Sequence, residues 1–137
     1  MKQLVPYLNF NGQCHDALHF YQSCFGGAEV SIQTFADAKV DDMPQQSKDK
    51  VMHGEFKSDG LFFMASDGQV GGDFAMGNNI HLNVQLDSVD EQTVLFEKLS
   101  ENGSVIMPLQ HTFWDARFGM LTDKFGIQWM LNVMKSH

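Results

Sequence analysis

The chain has 137 residues and a net charge of −8, with a pI near 5.0, a length that suits one domain able to bury a core without disulfide or metal staples. Its acidic balance, with no local run of Lys or Arg, argues against nucleic acid as a partner, because phosphate backbones would be repelled. No stretch approaches the roughly 20 apolar residues of a membrane span. The start, MKQLVPYLNF, lacks the apolar core and cleavage site of a signal peptide, so no membrane partner and a cytoplasmic location are expected.

The predicted elements fall into two similar series. A short strand over Val5–Phe10 leads through Asn11-Gly12 into a helix from about Gln13 to Phe25, with apolar groups at Ala17, Leu18, Phe20, Tyr21, Cys24 and Phe25. Gly26-Gly27 ends it. Cys14 and Cys24 lie on this one helix, roughly 15 Å apart at the α-helical rise. That exceeds the reach of a disulfide, so two free thiols in a reducing compartment are expected. Strands follow at about Glu29–Phe35, Lys50–Lys57 and Leu61–Ser66, the last two joined by a Ser58-Asp59-Gly60 turn. Tyr7 and Tyr21 are expected in the core, with a hydroxyl at the edge.

The second series opens with Ile80–Leu86, where Ile80, Leu82, Val84 and Leu86 alternate with His81, Asn83 and Gln85. Ser88 and Glu91 form a capping-box pattern, Val94, Leu95 and Leu99 point the helix inward, and Asn102-Gly103 stops it. Three strands are expected at Ser104–Leu109, Phe113–Leu121 and Ile127–Val133, the last pair joined by Asp123-Lys124-Phe125-Gly126. The result is a tandem strand-helix-strand-strand-strand repeat, module one over about 1–67 and module two over about 80–137. Two segments stand outside it: the polar stretch Ala36–Asp49, a lid or a plain loop, and Gly68–Asn79, a linker.

Alternation assigns faces. If Ile80, Leu82, Val84 and Leu86 pack on a helix, His81, Asn83 and Gln85 face the other way, as do Gln128, Met130 and Asn132 when Ile127, Trp129, Leu131 and Val133 pack. Arg117, the sole arginine, suits a carboxylate or phosphate anchor, or a salt bridge to Asp115 or Asp123. Trp114 can border a pocket, stiffen a hairpin or lie at a dimer contact. No nucleophile signature or pair of catalytic carboxylates competes.

Pro6-Tyr7-Leu8, Phe10-Asn11-Gly12, Phe20-Tyr21, Val51-Met52-His53, Met64-Ala65-Ser66-Asp67, Thr112-Phe113-Trp114, Phe118-Gly119 and Thr122-Asp123-Lys124-Phe125-Gly126 together resemble the PhnB-like proteins. These belong to the vicinal oxygen chelate superfamily, with glyoxalase I, bleomycin-resistance proteins and extradiol dioxygenases. The resemblance runs from about Pro6 to Val133. It implies an α+β fold of paired βαβββ modules forming a cupped mixed sheet, usually as a homodimer with one site per cup.

Superfamily enzymes bind a divalent metal through four side chains on the first and fourth strands of the modules. The resemblance aligns those positions with Pro6, Met64, His81 and Met130, of which His81 alone could ligate a hard or borderline cation. No metal cofactor is therefore expected, and without one an enediolate has no stabiliser. His53, Glu55 and His81, with His111 nearby, are the residues from which a site could be rebuilt. The methyltransferase label that PhnB-like proteins often carry is set aside: Gly26-Gly27 follows a helix, whereas a methyl-donor nucleotide wants a glycine-rich turn that opens one.

Two functions follow. One is a metal-independent module binding a small apolar or aromatic molecule, with His53, Met64, His81, Asn83, Trp114, Arg117, Gln128 and Met130 lining the cup. The other is a lyase, isomerase or dioxygenase-like enzyme built around His53, Glu55 and His81.

Overall fold

A computed structural model describes residues 1–39, 47–68 and 74–134. The element order is β1 (Tyr7–Asn9), α1 (Cys14–Phe25), β2 (Glu29–Thr34), β3 (Val51–Ser58), β4 (Leu61–Ser66), β5 (Leu82–Leu86), α2 (Val89–Leu99), β6 (Ser104–His111), β7 (Ala116–Thr122) and β8 (Gln128–Met134). The chain divides into two compact units, Met1–Phe74 and Ala75–His137. Each unit holds its own four-stranded sheet, in the orders β1-β4-β3-β2 and β5-β8-β7-β6. In both, the first and last strands pair parallel and the other neighbours antiparallel, giving a mixed sheet of the α+β class. Among the described residues no helix is long and apolar enough to cross a membrane. The expected lid at 36–49 and linker at 68–79 fall partly outside the described residues.

In the first unit α1 buries Cys14, Ala17, Leu18, Tyr21 and Cys24, a helical stripe. It lies on a core in which Phe56 and Phe63 stack at 4.6 Å and Tyr21 meets the Phe63 edge. Gln13, at the N-cap, gives α1 no side-chain bond. The buried carboxylate of Asp67, just past β4, supplies what is missing. Its Oδ1 accepts from the backbone N–H groups of Gly12 and Cys14 at 2.8 and 3.0 Å, and its Oδ2 from that of Val51 at 2.8 Å. One side chain thereby caps a helix and ties it to β3.

In the second unit Ser88 Oγ accepts from the Glu91 N–H, as the capping pattern predicts. The inward face is Gln92, Leu95, Phe96 and Leu99, whereas Val94, expected inside, is 50% exposed. Position 92 holds a polar residue where periodicity seeks an apolar one, which rotates the apparent stripe. Fully buried Gln92 donates through Nε2 to the carbonyls of Arg117 and Leu131 at 2.8 and 3.0 Å. Ile80 also departs from expectation: it precedes β5 and is 72% exposed, while Val84 is buried.

Both helices sit close against a glycine on the third strand of their unit. A Cβ on Gly54 would stand 2.6 Å from Leu18 Cδ1, and one on Gly119 would stand 2.8 Å from Phe96 Cε2. No larger residue fits there unless the helix side chains shift.

The predicted strand beginning at Phe113 begins instead at Ala116. The Thr112 N–H donates to Ala116 O, the Asp115 N–H donates to Thr112 O, and Asp115 takes a left-handed φ of 59°. Thr112 to Asp115 is thus a tight loop that lifts Phe113 and Trp114 out of the sheet.

Candidate functional site

Register and alternation define one face of each sheet that turns away from the helix. On the first unit Tyr7 lies opposite Met64, Met64 opposite Glu55, and Glu55 opposite Ser31. One pleat along stand Asn9 with Ser66 and His53 with Gln33. Tyr7, expected in the core, is 45% exposed on this face. Its hydroxyl lies 3.2 Å from His53 Nδ1.

The same rows on the second unit read Asn83, Met130, Met120 and Met107, then Gln85, Asn132, Phe118 and Gln110. Three methionines and a phenylalanine thus stand beside a block of amides. Asn83 Nδ2 and Asn132 Nδ2 both donate to Gln85 Oε1, at 2.8 and 3.0 Å. Asn132 is 7% exposed. Its Oδ1 is buried and, among the described residues, has no hydrogen-bond partner. Such an acceptor costs about 1–3 kcal/mol while it stays unpaired. Gln128, on the same face, donates through Nε2 to Ile80 O at 2.7 Å.

Strand register sets Met64 opposite Tyr7 and Met130 opposite Asn83; the expected ligand positions Pro6 and His81 stand one and two residues before these partners. Pro6 precedes β1 and its carbonyl accepts from the Met64 N–H at 3.0 Å. His81 precedes β5 and is half-buried. His53 and Glu55 share the helix-free face of β3. Among the described residues, no three His, Cys, Asp or Glu side chains gather closely enough to hold a metal ion.

Arg117 does not reach this face. Its register partner is Val133, on the helix side. Its Nη1 donates to Val89 O, Gln92 Oε1 and Thr93 Oγ1 at 3.2, 3.0 and 2.9 Å. The expected anion anchor is a clasp between β7 and α2, invisible from sequence because its acceptors are neutral groups far along the chain.

Trp114 meets Phe113 and Phe118 edge-on, at 4.9 and 5.7 Å between ring centroids. It links the hairpin loop to the helix-free face through Phe118. Trp129 is core, as expected, and its Nε1 donates to Asp123 Oδ2 at 2.9 Å.

Cys14 and Cys24 form no disulfide among the described residues, and both are buried. Burial, assisted by the negative charge of Asp67, pushes the Cys14 thiol up to about 12, which leaves it protonated and unreactive at neutral pH.

The family model described as 3-demethylubiquinone-9 3-methyltransferase matches residues 2–132. Protein YjdN of Escherichia coli is 32% identical, with 96% of this chain and 95% of that protein covered. The crystal structure of PA1353 from Pseudomonas aeruginosa is 39% identical, covers 99% of this chain and 100% of its own, and superposes with a TM-score of 0.86. The PhnB protein from Bacillus cereus is 29% identical over 96% of this chain and 99% of its own, with a TM-score of 0.80. The fold alone extends further, to a glyoxalase/bleomycin resistance protein/dioxygenase from Nocardioides at 16% identity, 99% and 86% coverage and a TM-score of 0.58. The chain therefore belongs to the family of that model, the PhnB-like proteins, and shares its fold with glyoxalase/bleomycin resistance/dioxygenase proteins.

Proposed function

We propose that this protein is a metal-independent small-molecule-binding module, acting in the cytoplasm as a homodimer and holding an apolar or aromatic ligand on its helix-free strand faces. The observation that carries this reading is the donor set. The residues facing each other on the first and last strands of each unit are Tyr7 with Met64 and Asn83 with Met130. A chelating Lewis acid of the superfamily kind wants imidazole and carboxylate ligands, whereas thioether sulfur suits soft ions.

Methionines and Phe118 supply an adaptable apolar surface. Asn132 Oδ1, without a partner among the described residues, favours a ligand that carries an O–H or N–H group beside its apolar body. Neighbouring side chains must give way before a ligand reaches that buried atom. The methyltransferase description of the family is not carried over, because neither mixed sheet opens a helix with a glycine-rich nucleotide turn. Exposed Val105 and Ile106 on β6, with Phe113 at the loop, support self-association.

Metal analysis tests the reading. Protein purified without chelators and then offered nickel, zinc, manganese or iron is expected to hold no ion that depends on His53 or Glu55. One ion per chain, lost in His53→Ala or Glu55→Ala, would instead establish the lyase, isomerase or dioxygenase-like alternative. Titration with phenol is expected to shift the side-chain amide NMR signals of Asn83, Gln85 and Asn132 more than titration with toluene. Silence to both sinks the binding surface.

A further inference from the structure

His15 and His19 stand on the exposed face of α1, on the helix side of the first unit's sheet. They are one helical turn apart, with ring centroids 4.5 Å from each other and planes tilted by 60°. Side chains at i and i+4 share a helix face, the spacing with which a helix offers two imidazoles to one metal ion.

The second ring nitrogen provides an independent observation. His15 Nδ1 lies 3.5 Å from Asp16 Oδ1, and His19 Nδ1 lies 3.4 Å from Gln22 Oε1. Gln22 is itself oriented, because its Nε2 donates to Ala28 O at 3.0 Å and so turns Oε1 toward His19. Both facing atoms are acceptors, so a neutral ring with its hydrogen on Nδ1 satisfies each contact and leaves the Nε2 lone pair for a ligand. Metal-bound histidines are held in this way, with the far nitrogen donating to a carboxylate or carbonyl oxygen that fixes the tautomer and strengthens the donor.

We propose that His15 and His19 form a surface site for one borderline divalent transition-metal ion, Cu²⁺, Ni²⁺ or Zn²⁺, bound through both Nε2 atoms with water completing the coordination. Neutral imidazole suits these ions and does not suit Mg²⁺ or Ca²⁺. The site lies on α1, apart from the helix-free face of its own sheet, and does not rest on the reading given for the strand faces.

The untagged full chain titrated calorimetrically with CuCl2 and with NiCl2 should take up one equivalent of either, copper more tightly. His15→Gln and His19→Gln should each weaken uptake on the order of 100-fold, because the second ligand no longer acts intramolecularly. Asp16→Ala should weaken it by about tenfold. Circular dichroism of these variants should match the parent, since all three side chains are exposed. Electron paramagnetic resonance of the Cu²⁺ form should show two imidazole nitrogens in the parent and one in either histidine variant. No copper uptake by the parent, or equal uptake by the histidine variants, overturns the proposal. His53→Ala and Glu55→Ala should leave this site untouched, so its failure and that of the strand-face reading are told apart.

Discussion

The two units share a backbone plan and differ in what they mount on it. Row by row, Met64 corresponds to Met130 and Gly54 to Gly119. Glu55 and His53 of the first unit, however, correspond to Met120 and Phe118 of the second, and Ser31 to Met107. The helix-side glycines are alike because close approach of helix and sheet is a packing requirement. The opposite faces carry no such constraint, so one holds ionisable groups and the other apolar surface with amides. A repeat of structure is therefore no repeat of chemistry.

The helices are also tied down differently, and this difference can be broken experimentally. Asp67 anchors α1 with one carboxylate that accepts three backbone bonds. Asp67→Ala should cost roughly 3–5 kcal/mol in urea unfolding followed by circular dichroism, because it strands three N–H groups in the interior. α2 is tied by Gln92 through two neutral amide-to-carbonyl bonds and one accepted from the Arg117 guanidinium, so Gln92→Leu, which strands no carboxylate-bound N–H groups, should cost less, about 2 kcal/mol, with the leucine keeping the volume. Equal losses would mean that the charge of Asp67 adds nothing.

The smallest effect is a pH dependence confined to the first unit. The Cys14 thiol is raised from 9.0 to about 12, by burial first and by Asp67 second. The unfolded chain loses this proton near 9.0 while the folded chain keeps it, so the contribution is complete below pH 9 and is lost as pH rises toward 12. Cys14→Ala should remove that part of the alkaline decline, measured as the difference between the two stability curves from pH 8 to 11. Parallel curves would show that the thiol titrates as it does in the unfolded chain.

Much of the fold was legible because its signals are local. The i, i+3, i+4 stripe of α1, the Ser88 cap and the alternation of β5 and of β8 as far as Leu131 each depend on a few neighbouring residues, and all reappear in the structure, whereas Asn132 breaks the pattern of β8 by being buried. The Phe113–Trp114 segment misled for a matching reason: aromatic residues favour strands, but the turn geometry at Asp115 overrode that preference. Gln92 misled in the opposite sense, as a polar residue that buries itself because two strand carbonyls wait for its amide.

The candidate site was less legible. Alternation assigned Asn83, Gln128 and Met130 to the helix-free face, yet it could not fix which residue stands opposite which. A shift of one position separates Pro6 from Tyr7, and that shift exchanges a side chain with no donor for a phenol directed at His53.

By itself the sequence determined the repeat, the α+β class and the family, since periodicity, caps and turn residues are written in short stretches of chain. Only the tertiary structure decided that Arg117 clasps a helix, that Tyr7 and Asn83 face the two methionines, and that Asn132 Oδ1 finds no partner among the described residues. Those facts are set by strand register and by hydrogen bonds between residues tens of positions apart, which no local pattern encodes.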